Sequence, residues 1–263
     1  MNRPLNVGLF GYGRAGTAVA RAIDADPEVN LRWIVKRVPP SEIQRAAAPA
    51  PLYALADIAP AALLTHEPVD VIIDFAGCPA VHAYGAAAAD RGIAIVAAIS
   101  DYGDEEKALL AAYARRTVVL MSPNITLGIN YLLVASELLQ HIAPFTDIEI
   151  IEEHFRDKRE VSGTALRIAA KLGLDESKVN SIRVGGIVGH HEVVFGFPFQ
   201  TVRLVHESIS REAFGTGALF VAKRLRGRQP GMYRYDELIR ETMLAALQPK
   251  PKTSGAALPA RAR

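Results

Sequence analysis

The chain has 263 residues, half of them hydrophobic, with 30 lysines and arginines against 28 aspartates and glutamates. A formal net charge of +2 is too small to indicate nucleic-acid binding, although it suits anionic small molecules. No apolar run approaches the length of a membrane span, and the single cysteine, Cys78, excludes an internal disulfide framework. We therefore expect a cytoplasmic protein that binds neither membrane nor nucleic acid.

A glycine-rich turn near the N-terminus predicts a dinucleotide site. Residues 5–11 form a short apolar run, a GxGxxG pattern follows at 11–16, and helical spacing then leads to a second apolar run at 31–35. Between a strand and a helix, such a turn lets the backbone approach the pyrophosphate of a nicotinamide dinucleotide. The predicted cofactor contacts here are Gly11, Tyr12, Gly13, Arg14, Ala15 and Gly16.

The end of the second predicted strand carries two cations, Lys36 and Arg37. A site selective for NAD usually has an acidic residue at this point, which accepts hydrogen bonds from the ribose 2′-hydroxyl. Two cations without a carboxylate favour a 2′-phosphate instead. We predict NADPH as the cofactor, with NADH as a possible substitute; the other interpretation is an exposed basic turn.

Strands and helices alternate from residue 69 to residue 124. Apolar runs at 69–75, 93–97 and 118–121 are separated by helical segments, which predicts an α/β fold with a doubly wound, Rossmann-like parallel sheet. Residues at the carboxyl ends of these strands lie where ligands bind. The predicted contacts are Phe75, Ala98, Ser122, Pro123 and Asn124 for the cofactor, and Ser100 for the substrate.

The pattern changes after residue 124, where an apolar helix at 125–143 precedes several successive strands between 146 and 206. Such a run predicts a second, α+β domain for substrate binding and oligomerisation. We predict a dinucleotide-binding domain at 1–124, completed by about 212–248, and the second domain at 125–211. The remaining residues, 249–263, have the composition of a disordered basic tail.

One stretch of the second domain concentrates polar side chains, from Glu152 to Leu166. It places His154 and Lys158 after a strand and then enters a helix through the small residues of 162–164. Helix N-termini attract anions, so the stretch favours an anion-binding site. The alternative is a solvated charged loop before a capped helix.

The chain resembles the 4-hydroxy-tetrahydrodipicolinate reductases (dihydrodipicolinate reductases) of lysine and diaminopimelate biosynthesis. The similarity extends over most of residues 5–245 and consists of several ordered motifs with matching spacing. They are GRAG at 13–16, VDVIIDFAG at 69–77, SPNITLGIN at 122–130, EIIEEHFRDKREVSGTAL at 149–166, RVGGIVGHHEVVF at 183–195 and LVHESISREAFGTGAL at 204–219.

The resemblance implies roles for the residues of the polar stretch. His154 stands where the family has its proton donor, and Lys158 where it has the assisting lysine. The turn at 162–164 is similar to the family's carboxylate-binding SGT turn, so Ser162, Gly163 and Thr164 are expected substrate contacts. The resemblance also implies a homotetramer and hydride transfer from the cofactor to a cyclic imine dicarboxylate.

Departures from the family pattern concern the residues around the substrate. Phe155 replaces the second histidine of the family's HHRHK motif, and Asp157 replaces the third. The segment near Val161 is one residue shorter than the family's, and Ile99 stands in the family's GTTG turn. These changes leave two alternatives open: a paralogous imine reductase or amino-acid dehydrogenase with another small substrate, and a non-catalytic NADP-binding regulator. No metal site is predicted, because neighbouring His190 and His191 alternate across a strand.

Overall fold

The computed structural model describes residues 3–77, 79–100 and 102–248. Cys78 and the tail at 249–263 lie outside these residues, so the interpretations of both stay predictions. In the described part of the chain, strands form two separate sheets. None of the helices described there is long and apolar enough to cross a membrane.

The first sheet is parallel, and the described residues contribute seven strands to it, in the order β11-β6-β5-β4-β1-β2-β3. This order reverses direction between β1 and β4, as in dinucleotide-binding folds. The strands are β1 (Leu5–Phe10), β2 (Val29–Lys36), β3 (Leu52–Ala54), β4 (Val71–Asp74), β5 (Ala94–Ala97), β6 (Val118–Met121) and β11 (Gly231–Tyr233). The predicted Rossmann-like α/β fold is confirmed.

Helices cover both faces of this sheet, because its strands are apolar on both sides. One face packs against α1 (Arg14–Asp24), α8 (Glu212–Leu225) and α9 (Tyr235–Leu247). The other face packs against α3 (Pro60–His66), α4 (Ala80–Asp90) and α5 (Asp104–Tyr113). A short helix, α2 (Glu42–Ala47), follows β2.

The second sheet is mixed, with the described strands in the order β10-β9-β7-β8. Its strands are β7 (Asp147–His154), β8 (Val179–Arg183), β9 (His190–Gly196) and β10 (Thr201–Glu207), and only β7 and β8 pair in parallel. Alternate residues such as Ile148 and Ile150 pack against α6 (Leu127–Ile142) and α7 (Gly163–Leu172). The predicted separate sheet is confirmed. The boundaries predicted near 124 and 212 fall between strands of different sheets, and the domain division itself stays a prediction.

Three short elements were not predicted: β3, α3 and β11. Residues 38–60 contain the three-residue strand β3, and residues 211–248 contain the three-residue strand β11. Both strands pair at an edge of the first sheet, where the register is Ile34 with Leu52 and Val119 with Met232. Three residues are too few to show a periodicity of two, so only the pairing partner defines these strands.

Candidate active site

The turn after β1 has the backbone that a bound pyrophosphate needs. Gly11 has φ of 101°, and a β-carbon there would lie 2.5 Å from the carbonyl carbon of Phe75. A β-carbon at Gly16 would lie 2.1 Å from the Gly11 oxygen, so both positions require glycine for packing. At exposed Gly13 an added β-carbon meets nothing within 4 Å. The turn is thus open at Gly13 and at the N-terminus of α1, which begins with Arg14 and Ala15.

Lys36 and Arg37 lie at the carboxyl end of β2. The Lys36 ammonium donates a 2.8 Å hydrogen bond to Gln44 Oε1, and Gln44 forms a capping box with Ser41 at the start of α2. Arg37 is exposed, and none of the described residues accepts a hydrogen bond from its guanidinium. One cation is therefore fixed by α2 while the other extends into solvent.

The other predicted contacts at the edge of the first sheet differ in exposure. Tyr12 and Ser122 are buried, Phe75 and Ala98 are half-buried, and Pro123 and Ser100 are exposed. Ser122 has a structural role, because its hydroxyl donates to the Asn124 carbonyl at 2.7 Å.

Asn124 connects the two sheets. Its Oδ1 accepts hydrogen bonds from the backbone and hydroxyl of Thr126, just before α6, and its Nδ2 lies 3.4 Å from Thr164 Oγ1 at the start of α7. The edge of the first sheet is thereby joined to the polar stretch of the second.

His154 ends β7 and is 9% exposed. Its Nδ1 lies 2.5 Å from Oε2 of Glu152, a fully buried glutamate two residues earlier on the same face of the strand. A β-carbon added at Gly189 would lie 3.2 Å from His154 Nε2, which places this second ring nitrogen beside a loop glycine. The ring of His154 is thus held on one side by a carboxylate.

Glu152 is surrounded by donors. Arg183 donates from NH2 to Oε1 at 2.5 Å and from NH1 to Oε2 at 2.9 Å, while Ser181 Oγ and the Ser162 amide donate to Oε1 at 2.6 and 3.2 Å. Burial alone would raise the pKa of Glu152, but the hydrogen bonds from Arg183, Ser181, His154 and Ser162 outweigh it and lower the pKa to about 2. The carboxylate is therefore ionised at neutral pH.

Ser162 does not face solvent, although a direct substrate contact was predicted for it. It is 4% exposed, its amide donates to Glu152, and its hydroxyl lies 2.8 Å from His191 Nε2. The His191 ring stands edge-on to His154, with centroids 5.4 Å apart. Burial, with His154 and His206 nearby, lowers the pKa of His191 to about 3, so this ring is neutral at pH 7. We propose that Ser162 supports the turn rather than contacts a ligand.

Gly163 and Thr164 form the first turn of α7, for which Ser162 is the N-cap without a side-chain cap bond. Gly163 is exposed, and a β-carbon there would meet nothing within 4 Å. The first amides of a helix have no intrahelical acceptor. These N–H groups are therefore open at Gly163, and their binding of an anion stays a prediction.

Lys158 and Phe155 lie in the loop between β7 and α7. Lys158 is half-buried, and its ammonium has no hydrogen-bond or ion-pair partner in the part of the chain that the structure describes. The Phe155 side chain is 44% exposed. A free ammonium and an exposed aromatic ring therefore border the stretch that holds His154.

The structure brings His154, Ser162, Gly163 and Thr164 together through Glu152 and links them to Asn124. Lys36 and Arg37 lie far from this group, because β2 is four strands from β6 in the sheet, or about 19 Å at the usual strand spacing. Glu152, Ser181, Arg183 and His191 were not predicted as site residues. For Glu152 a signal existed, since residues i and i+2 of a strand share a face. The others come from β8 and β9, and no spacing in the sequence indicates them. No group of side chains able to hold a metal ion occurs in the described ranges.

The sequence profile described as "Dihydrodipicolinate reductase, N-terminus" matches residues 5–125, and "Dihydrodipicolinate reductase, C-terminus" matches 128–239. This chain belongs to the dihydrodipicolinate reductase family. Two curated relatives are named 4-hydroxy-tetrahydrodipicolinate reductase. The one from Nitratidesulfovibrio vulgaris (strain DP4) is 32% identical over 256 residues, 88% of this chain and 96% of the relative. The one from Stenotrophomonas maltophilia (strain K279a) is 32% identical over 245 residues, 90% of this chain and 98% of the relative.

A solved structure confirms the fold. The dipicolinate-bound dihydrodipicolinate reductase from Paenisporosarcina sp. TG-14 superposes with a TM-score of 0.70 at 18% identity, covering 88% of this chain and 97% of that chain. The dihydrodipicolinate reductase fold thus includes both sheets described above, and the chain is an oxidoreductase of this family.

Proposed function

We propose that this reductase uses NADPH to reduce 4-hydroxy-tetrahydrodipicolinate, with His154 as the proton donor. The observation that carries the proposal is that one carboxylate, Glu152, binds both the His154 ring and the Ser162 amide before the open N-terminus of α7. Lys158, whose ammonium has no partner among the described residues, lies in the loop between His154 and α7. Reduction of a carboxylated imine needs a proton donor close to a site that binds the substrate carboxylate. The names of the relatives and the dipicolinate bound to the Paenisporosarcina enzyme support the substrate class.

Each part of the chain has one task in this proposal. The amides of the turn at 11–16 and the N-terminus of α1 hold the pyrophosphate, and Lys36 with Arg37 binds the 2′-phosphate. The Gly163 and Thr164 amides, with Lys158, bind and orient a substrate carboxylate. When bound, the cofactor supplies the hydride, and His154 delivers the proton.

A coupled assay tests this function. The purified full-length chain receives the condensation product of aspartate semialdehyde and pyruvate, and NADPH oxidation is followed beside a working relative as positive control. We expect turnover, and His154→Ala should lower kcat by about 10²–10⁴-fold. No turnover under conditions where the relative works would refute the substrate assignment.

Phe155 favours a second candidate, a paralogous imine reductase or amino-acid dehydrogenase for a less polar substrate. Its exposed ring offers no hydrogen bond to a second carboxylate, and a polar group left unpaired in a site lowers affinity. A screen of piperideine and pyrroline carboxylates separates the two candidates. Phe155→His should raise kcat/KM for the dicarboxylate if that is the natural class, and lower it for a preferred monocarboxylate. Tight NADPH binding without turnover on any of these compounds would instead leave a non-catalytic regulator.

We also propose that the enzyme is a cytoplasmic homotetramer assembled through the open face of the second sheet. Ile182 and Val205 on this face are 43% and 52% exposed, which leaves apolar surface for a partner copy. Light scattering during size-exclusion chromatography measures the mass directly. Val205→Lys should reduce the mass if this face forms the contact, and an unchanged tetramer would place the contact elsewhere.

A further inference from the structure

We propose that Glu152 is a positioning residue whose single carboxylate holds both the proton-donating ring of His154 and the anion-binding turn at Ser162. This inference rests on the function proposed above for His154 and α7. Glu152 touches no reacting atom in it. It acts by fixing the positions of His154 and Ser162 and by determining which ring nitrogen of His154 carries a proton.

The two oxygens of Glu152 have different partners. Oε2 faces His154 Nδ1 and one N–H of Arg183, whereas Oε1 takes the Ser162 amide, the Ser181 hydroxyl and a second N–H of Arg183. One oxygen of the carboxylate thus binds the ring of His154, and the other binds the amide of Ser162, the residue before α7. A rotation of the carboxyl group would break both sets of bonds at once.

Arg183 prevents such a rotation. Besides its two bonds to Glu152, it donates to the carbonyl oxygens of Lys158, Glu160 and Ile182, so all five guanidinium N–H groups have acceptors. The same arginine therefore fixes the carboxylate and ties down the loop that carries Lys158. A planar guanidinium in two-point contact with a carboxylate gives a defined orientation that a point charge does not.

The hydrogen bonds of Glu152 decide the tautomer of His154. An ionised carboxylate only accepts, so Nδ1 must carry the proton at their contact. Nε2, beside Gly189, is then the nitrogen that gains and releases a proton during turnover. The titratable neighbours of the ring on the adjacent strands are Arg183 on β8 and His191 on β9, and neither offers an acceptor that competes with Glu152 for Nδ1.

Glu152→Gln is the diagnostic variant. A glutamine has one oxygen and one NH₂ group, and three donors meet at the Oε1 position against two at Oε2. The oxygen therefore occupies the Oε1 position, and the NH₂ group faces His154 Nδ1. His154 must then accept at Nδ1 and carry its proton on Nε2, which is the opposite tautomer.

The experiment combines NMR and kinetics on the full chain. In ¹⁵N-histidine-labelled enzyme, the ring-nitrogen shifts of His154, assigned by their loss in His154→Gln, should show a protonated Nδ1 at neutral pH. In Glu152→Gln they should show an Nδ1 without a proton and a protonated Nε2. With substrate, the same variant should lose about 10²–10⁴-fold in kcat, as for a misplaced acid. Its substrate KM should rise about fivefold from the weakened Ser162 anchor, while its KM for NADPH stays unchanged.

Glu149→Gln is the matched control, because Glu149 lies on the same strand with exposed partners, Lys178 and Asn180. It should leave the tautomer, kcat and substrate KM as in the parent. An Nδ1 without a proton in the unmodified enzyme would overturn the proposal even if Glu152→Gln failed to fold. A folded Glu152→Gln with the parent's tautomer and kinetics would do so as well. The tautomer measurement needs no substrate, so a wrong substrate assignment and a wrong role for Glu152 give different results.

Discussion

The buried Asp74 at the end of β4 makes the stability of the first sheet depend on pH in an unusual direction. Its carboxyl is fully buried and accepts hydrogen bonds from Tyr84 at 2.8 Å, from the Ala76 amide at 2.8 Å and from Tyr102 at 3.4 Å. Burial raises its pKa from the ordinary 3.8 to about 6, and the hydrogen bonds only partly offset this effect.

A carboxyl with a raised pKa in the folded state binds its proton more tightly there than in the unfolded chain. Its contribution to stability is therefore greatest below pH 3.8 and is lost as pH rises through about 6. The shift corresponds to about 3 kcal/mol. Asp74→Asn cannot ionise, so it serves as the reference for the parent. The free energy of unfolding of the parent relative to this variant should fall by about 2.4 kcal/mol between pH 4 and pH 7.5, because at pH 4 the carboxyl of the unfolded chain is already partly ionised.

Urea unfolding followed by tryptophan fluorescence measures this difference. Trp33 is the only tryptophan in the sequence, and it contacts Phe10, which in turn packs against Tyr84, so its emission reports on this part of the sheet. Asp57→Asn, at an exposed turn position, controls for removal of a surface carboxylate. A difference between parent and Asp74→Asn that stays constant with pH, or grows as pH rises, would refute the reasoning.

Three further predictions concern the cofactor, the substrate turn and the packing of the chain. Lys36→Glu should weaken NADPH binding about 10- to 100-fold more than NADH binding, because it places a carboxylate beside the 2′-phosphate. Fluorescence titration measures both affinities, and equal losses for the two cofactors would contradict a 2′-phosphate site. Gly163→Pro removes one backbone N–H at the first position of α7. Proline is tolerated there, and the preceding Ser162 has ψ of 122°, which suits a residue before proline. The substrate KM should therefore rise about 10-fold while the helix content stays unchanged. Gly163→Ala keeps that amide and should resemble the parent; matching KM increases in both variants would contradict a role for the amide. Gly217→Ala should lower the free energy of unfolding in urea by about 3 kcal/mol or more, because its β-carbon would lie 1.8 Å from the Ile125 oxygen. Gly186→Ala is the control, because the space around Gly186 is open, and it should not change the free energy of unfolding.

Local patterns in the sequence predicted the elements that have a clear period of their own. The apolar strands around Val7 and Ile73, the glycine turn at 11–16 and the alternating β7 all appear in the structure. The edge strands β3 and β11 do not have such a period, because pairing with β2 and β6 defines them. Edge strands of three residues are therefore a property of the assembled sheet.

The candidate site could be located from the sequence, but its internal bonds could not. The stretch that contains His154 and Gly163 followed from polar residues between a strand and a helix N-terminus, and the predicted role of His154 followed from the family resemblance. The bond from Arg183 to Glu152 joins residues 31 apart, and the one between Ser162 and His191 joins residues 29 apart. Such partners depend on the register of β8 and β9 against β7, which no spacing in one sequence reveals.

The basic run at 223–228 lies at the end of α8, and its cations have specific partners in distant parts of the chain. Lys223 pairs with Asp26 and Glu28, and Arg226 donates to the Arg3 carbonyl, contacts that span 195 to 223 positions of sequence. These contacts therefore bind the end of α8 to the N-terminal part of the chain.

These long-range contacts have a consequence for synthesis on the ribosome. Helix α8 covers one face of the first sheet, and β11 completes an edge, so residues 5–121 emerge before the elements that bury them. Contacts between distant parts of a chain form slowly, because the entropic cost of closing the intervening loop comes before the contacts that offset it. The side of α1 and β1 that α8 covers therefore stays exposed until residues 212–225 have been synthesised.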